Sequence, residues 1–93
     1  MARYYYLLWN PRVRRLVECE VLDGVIIIDL GDFWVVYYAN TDRLIVRLPL
    51  LEILAGAPEP AYLDLEAVPT THLFNALEQL LRESIVLYEE VEE

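Results

Sequence analysis

The sequence predicts an α+β fold in which an antiparallel meander of about five to six strands packs against one C-terminal helix. Residues 1–48 are a series of short apolar segments separated by turn residues, which is typical of consecutive strands. Residues 71–84 repeat leucine at helical spacing near the end of the chain. The length of 93 residues fits a single domain, residues 1–93. A small β-barrel with an appended helix is the alternative architecture.

The strands of the first half are predicted from their composition and from the turns between them. Residues 3–9 are dense in Tyr and Leu, and Asn10-Pro11-Arg12 ends that segment as a turn. The clearest local signal is Asp23-Gly24, a favoured pair in two-residue type I′ hairpins, which makes the segments on either side antiparallel neighbours. The other strands are predicted at residues 13–22, 25–30, 33–39 and 44–48. Short connections between them favour a meander.

The second half, residues 49–93, has a different pattern. Pro49 opens a predicted short helix over residues 50–55, and alternation over residues 61–67 predicts a sixth strand. A threonine after Pro69 is the expected N-cap of the helix over residues 71–84. Residues 85–91 fit either a strand or a continued helix. Because no turn residue separates them from the helix, the pattern favours continued helix, with Tyr88 on its apolar stripe.

Charge and composition restrict the classes of partner. The net charge of −9 falls entirely in residues 48–93, because residues 1–47 hold six Arg and six Asp or Glu. This balance argues against nucleic acid and against an anionic membrane surface as partners. The longest clean apolar run, residues 33–39, is far shorter than the ~20 residues of a spanning helix. We therefore expect a cytoplasmic protein, in agreement with its single cysteine; the scarcity of Asn, Gln, Cys and Met fits a thermophile.

The apolar surplus is the most informative feature of the sequence. Hydrophobic residues make up 57% of the chain, and residues 4–9, 25–28 and 33–38 are apolar or aromatic on both faces of a strand. One helix covers one face of a small sheet, so the other face needs a second cover. An uncovered apolar face usually marks an interaction site, and self-association is the simplest cover. The alternative is a monomer with its tyrosines half exposed to water.

The candidate interaction surface combines aromatic strand residues, a basic turn and the acidic end of the chain. Its predicted members are Tyr4, Tyr6, Trp34, Val36, Tyr38, Arg12, Arg14, Arg15, Tyr88, Glu89 and Glu90. Arg3 is expected to gather with the arginines of the turn at one edge. The basic cluster of one chain is then complementary to the acidic C-terminus of another.

No set of residues predicts a catalytic, cofactor or metal site. His72 is the only histidine and lies in the first turn of the predicted helix with no nucleophile at a telling spacing. Cys19 alternates inward and has Glu18 and Glu20 beside it, which disfavours a thiolate. Two carboxylates on one strand face, Asp64 and Glu66, make a weak cation site at most. No small-molecule ligand is evident from the sequence.

Three functional hypotheses follow from the sequence. The first is a non-enzymatic interaction module, a homodimeric accessory subunit of a larger intracellular assembly. The second is an acidic inhibitor that masks a basic, nucleic-acid-binding surface of another protein. The third is an enzyme whose site forms across a dimer interface, with His72 as its base.

Overall fold

The computed structural model describes residues 2–49, 62–67 and 69–93, which form one antiparallel sheet and one helix. The strands are β1 (Arg3–Asn10), β2 (Arg15–Leu22), β3 (Val25–Asp29), β4 (Trp34–Tyr38), β5 (Arg43–Pro49), β6 (Tyr62–Glu66) and β7 (Ile85–Glu92), and the helix α1 (Thr70–Glu83) lies between β6 and β7. The α+β class and the meander are confirmed, with seven strands instead of five or six. The predicted helix over residues 50–55 lies outside the described residues.

The strand order is β6-β5-β4-β3-β2-β1-β7, so the sheet is open and the barrel alternative is wrong. Six strands follow one another as a meander, and β7 then pairs with β1 at the far edge. The centres of β6 and β7 are therefore about 29 Å apart at the usual strand spacing. The 14 residues of α1 span about 21 Å of that distance across one face of the sheet.

The β2–β3 hairpin has the predicted type I′ geometry. Both central residues have positive φ, 51° at Asp23 and 73° at Gly24, as this turn requires. The turn sets the register in which Leu22 pairs with Val25 and Glu18 with Asp29. The position of every β2 and β3 side chain above or below the sheet follows from that register.

The core lies between α1 and the central strands. Its buried residues alternate along the strands on the side that faces the helix: Leu8, Val17, Cys19, Ile28, Val35 and Leu44. From α1, Leu73, Leu77, Leu80 and Leu81 pack against this cluster, which confirms the leucine stripe predicted from the sequence. The helix begins at Thr70, with Pro69 as its N-cap. The expected threonine cap is wrong, because the Thr70 hydroxyl donates to the carbonyl of Ala67 at 3.4 Å instead.

Residues 85–91 are strand, so the predicted helical continuation is wrong. Ser84 ends the helix with extended backbone, at φ −85° and ψ 150°. Its hydroxyl donates to the carbonyl of Leu80 at 2.7 Å and accepts from the side chain of Asn10 at 3.1 Å. These contacts stop the helix without a glycine or a proline, so the break leaves no turn signal in the sequence.

Candidate functional site

The outer edge of β7 is the most exposed apolar segment in the described part of the chain. Ile85, Val86, Leu87 and Tyr88 are 54%, 55%, 55% and 51% exposed, although all four lie in a strand. β7 pairs with β1 on one side and has no strand beside it on the other within the described ranges. Such an edge presents unpaired backbone donors and acceptors and is a template for pairing with another chain.

Two features of β7 restrict what can add to this edge. The register with β1 shifts at Leu7 and Leu8, which leaves Leu87 as a bulge in β7. The second half of the strand carries glutamates at positions 89, 90 and 92. Bulges and edge charges both discourage open-ended strand addition. A partner therefore needs cations at the place where these glutamates would lie.

Cations lie at the opposite end of the same edge. Because Trp9 pairs with Ile85, the β1–β2 turn at residues 11–14 adjoins the start of β7. In this turn Arg12 forms an ion pair with Glu83 at 2.6 Å, whereas Arg14 is exposed and forms no ion pair with any described residue. The edge of β7 thus runs from a basic end at the turn to an acidic end at Glu92.

The face of the sheet opposite α1, the helix-free face, carries a groove. Two concavities of about 200 Å³ and about 240 Å³ share Ile27 and Trp34 and together form it. Around these two shared residues, the first concavity is completed by Tyr5, Glu18, Glu20 and Asp29, and the second by Val36, Arg47 and Tyr62. The groove has an acidic end, an apolar centre and an arginine at the far end.

The acidic end of the groove places carboxylates opposite one another. Glu18 and Asp29 are directly paired in the register of β2 and β3, an arrangement that like charges make unfavourable. The Tyr5 hydroxyl donates to Glu18 at 2.9 Å, and this bond raises the pKa of Tyr5. Glu20 pairs with Arg3 at 3.2 Å. Neither Glu18 nor Asp29 forms an ion pair with an Arg or His among residues 2–49, 62–67 and 69–93.

Across the same face, the carboxylates of β6 are matched by arginines of β5. Arg43 bonds Glu66 at 2.8 Å and Arg47 bonds Asp64 at 2.8 Å. Hydrogen bonding to each guanidinium lowers the pKa of the two carboxyls. The predicted pair Asp64 and Glu66 therefore shares a strand face, but its charge is neutralised by the chain's own arginines.

These two ion pairs make stability depend on pH in the acid range. Because the pKa of each carboxyl is lower in the folded state, its contribution is present above the unfolded values of 3.8 and 4.5 and is lost as pH falls through the folded values. We expect Asp64→Asn to lower the melting temperature at neutral pH, and we expect this difference from wild type to shrink as the pH falls below 3.8. Thermal melts of both proteins at neutral pH and at a series of pH values below 3.8 test this. A melting-temperature difference between wild type and Asp64→Asn that persists unchanged in acid, or that high salt does not reduce, would contradict this prediction.

The predicted interaction surface is divided between two faces and one end of the sheet. Trp34, Val36, Tyr38, Tyr88 and Glu90 lie on the helix-free face, where the rings of Tyr88 and Tyr5 are 6.3 Å apart. The other strand positions, Tyr4, Tyr6 and Glu89, lie on the helix side, and Tyr6 packs against the core.

The prediction that Arg3 gathers with the arginines of the turn is wrong. Arg3 lies at the start of β1, and its strand partner Leu22 is at the opposite end of β2 from Arg15. Arg3 instead pairs with Glu20 and Glu92. Arg15 pairs with Asp32 and donates to the carbonyl of Leu30.

Neither of the two residues weighed for catalysis lines the groove. Cys19 is buried in the core as its alternation predicts, and burial raises the pKa of its thiol. His72 is exposed in the first turn of α1. Within the described residues, no three His, Cys, Asp or Glu side chains are grouped to hold a metal ion.

Asn10 is a structural residue that the sequence does not single out. It is completely buried, and its side-chain amide donates to the carbonyl of Leu80 at 2.9 Å and to Ser84. Its side-chain oxygen accepts from the backbone N–H groups of Arg12 and Val13, both at 3.0 Å. Asn10 thereby fixes the basic turn and the start of β7 relative to the end of α1.

Comparison with protein-family models, with curated proteins and with solved structures finds no match for this chain. Across the residues that the structure describes, no helix combines the length and apolarity needed to cross a bilayer.

Proposed function

We propose that the chain is a non-enzymatic protein–protein interaction module that forms a homodimer through β7 and serves as an accessory subunit of a larger assembly. The single observation that carries this proposal is the exposure of residues 85–88 on an edge strand. Apolar side chains that are half exposed among the described residues gain stability when a second molecule covers them.

A second copy of this chain is the occupant that the charges favour. In an antiparallel two-fold pairing, residues 85–88 of the two copies lie side by side. The glutamates after Tyr88 in each copy then extend past the start of the other β7, where Arg12 and Arg14 lie. Each copy supplies both the glutamates and the arginines, so the same charge contacts form twice in the dimer. A two-fold contact also closes on itself and does not propagate into a fibre.

Light scattering after size exclusion over a dilution series tests the proposal. We expect the wild-type chain to move from dimer to monomer on dilution, because a contact limited to one strand edge belongs to the small interface class. Leu87→Lys places a charge on the bulge and should weaken the dimer by about 100-fold. Leu65→Lys is the matched control, since Leu65 is 48% exposed on the opposite edge strand, β6, and should leave the dimer intact.

A charge exchange tests the antiparallel arrangement itself. Arg14→Glu alone should weaken the dimer about fivefold by opposing the partner's glutamates. Combining it with Glu89→Arg should recover most of the loss, because the two positions then attract again across the interface. A wild-type chain that is monomeric at high concentration, or a dimer that Leu87→Lys does not weaken, overturns the proposal.

A further inference from the structure

We infer that the groove on the helix-free face binds an extended segment of a partner protein through an arginine side chain seated between Trp34 and the carboxylates of Glu18 and Asp29, with an apolar neighbour in the adjoining concavity. This goes beyond self-association, and it rests on the proposed function only in treating the chain as an interaction module. The groove and the edge of β7 are separate surfaces, so the proposal about either one can be wrong without the other being wrong.

The first argument is a contrast within one face of the sheet. Where carboxylates lie on β6, arginines of β5 neutralise them at 2.8 Å. Where Glu18 lies opposite Asp29, the described chain supplies hydrogen-bond donors to the two carboxylates but no ion-pair partner, because the Arg3 guanidinium at this end is bound to Glu20. The Tyr5 hydroxyl satisfies one oxygen of Glu18, and the backbone N–H of Gly31 satisfies one oxygen of Asp29 at 2.8 Å. A cation from another molecule would offset the repulsion between the carboxylates of Glu18 and Asp29.

The second argument is the aromatic wall of the same concavity. Trp34 is the strand partner of Asp29 and is the ring offered to an incoming cation, whereas Tyr5 is held beside Glu18 by its hydrogen bond and already has the Arg3 guanidinium over its ring at 5.8 Å. A cation near the face of an aromatic ring gains from the ring quadrupole as well as from the carboxylates. The planar guanidinium of arginine stacks on a ring and bonds carboxylates in a fork, which the ammonium of lysine does not do. The grouping does not suit a metal ion, since no described set of three ligands converges.

The third argument is the continuity of the groove. Beyond Trp34 the second concavity is lined by Ile27, Val36 and the ring of Tyr62, which lies 5.6 Å from the ring of Trp34. Val36 is only 9% exposed and forms the apolar floor of this part of the groove. A free small cation leaves that floor uncovered, whereas a peptide segment places an apolar side chain on it. The Arg47 guanidinium stands over the Tyr62 ring at 5.8 Å and closes the far end.

The test is a titration of ¹⁵N-labelled protein with the peptide acetyl-Leu-Arg-Leu-amide, followed by nuclear magnetic resonance. We expect the indole N–H of Trp34 and the amides of residues 27–29 to shift. The citrulline analogue has the same shape without the charge and should bind at least about fivefold more weakly. High salt should weaken the arginine peptide and leave the citrulline peptide almost unchanged.

Two double variants with equal net charge separate groove recognition from general attraction to an acidic protein. Glu18→Gln/Asp29→Asn keeps the oxygens that accept from Tyr5 and Gly31, so it should fold, and its affinity should fall about fivefold or more. Glu78→Gln/Glu93→Gln removes the same charge from exposed positions outside the groove and should bind within about twofold of wild type. Equal weakening by both double variants, or no shift at Trp34, overturns the inference.

The failure of this inference is distinguishable from the failure of the proposed function. Leu87→Lys should bind the arginine peptide as the wild type does, because the substitution lies at the β7 edge and not in the groove. Loss of peptide binding in Leu87→Lys would show that the groove needs the dimer and would overturn the independent groove site. A chain that binds the peptide but never dimerises would retain this inference and remove the dimer.

Discussion

Replacing Asn10 by alanine is expected to lower the free energy of unfolding by about 3–4 kcal/mol. Asn10 is completely buried, and its side chain takes part in four hydrogen bonds to the β1–β2 turn and the end of α1. Alanine leaves the carbonyl of Leu80 with fewer donors and the N–H groups of Arg12 and Val13 without their acceptor. Unsatisfied buried groups each cost about 1–3 kcal/mol, and partial access of water to the turn moderates the sum.

Urea denaturation of Asn10→Ala tests this prediction, with Asn75→Ala as the matched control. Asn75 is exposed on α1, so its replacement should be neutral or slightly stabilising through helix propensity. Because dimer formation adds to apparent stability, both substitutions belong in the Leu87→Lys background at one protein concentration. If Asn10→Ala lowers the free energy of unfolding by less than about 1 kcal/mol, the four hydrogen bonds do not fix the turn.

Local patterns were sufficient to predict most of the sheet. Five strands of the first half, the Asp23-Gly24 hairpin and the strand over residues 61–67 were predicted from alternation and turn residues. A two-residue turn also determines register, so the opposition of Glu18 and Asp29 follows from Asp23-Gly24 once the hairpin is accepted. That half of the groove could therefore have been predicted from the register of the hairpin alone.

The end of α1 was not predictable from local pattern. The helix stops because Ser84 and Asn10, 74 residues apart, meet at the carbonyl of Leu80. A contact over that separation depends on the completed fold and leaves no glycine or proline to mark it. The same contact adjoins Trp9 and Ile85, the pair at which β7 begins to pair with β1.

The division of the predicted surface has a similar cause. Alternation shows which residues of one strand share a face, but it does not relate the faces of strands joined by irregular turns. The turn from β1 to β2 includes Arg14 at φ 57°, and the pairing that follows places Tyr4 and Tyr6 on the side opposite Trp34 and Tyr38. The residues of the groove lie on separate strands. That they share one face of the sheet follows only from the register of all these strands.

The second large effect is expected at Leu44, whose replacement by alanine should cost about 3–5 kcal/mol. Leu44 is 0% exposed on β5 and lines a cavity of about 110 Å³ together with Leu77 and Leu81 of α1. Truncation removes apolar contacts with the helix and enlarges a space that already exists, so the surrounding side chains cannot recover the packing by a small shift. A small domain holds about 5–15 kcal/mol in total, so this one substitution removes a large fraction of it.

Leu63→Ala is the matched control, since it makes the same chemical change on the same side of the sheet. Leu63 lies on the edge strand β6 and is 43% exposed, so its replacement should cost less than about 1 kcal/mol. Urea denaturation of both variants in the Leu87→Lys background isolates the core from the dimer contact. A difference between the two variants of more than about 2 kcal/mol places the core between α1 and the central strands. Equal losses would mean that the edges contribute to stability as much as the centre does. In that case the exposed apolar residues of β7 would be part of the monomer's stability and no longer an argument for a second copy.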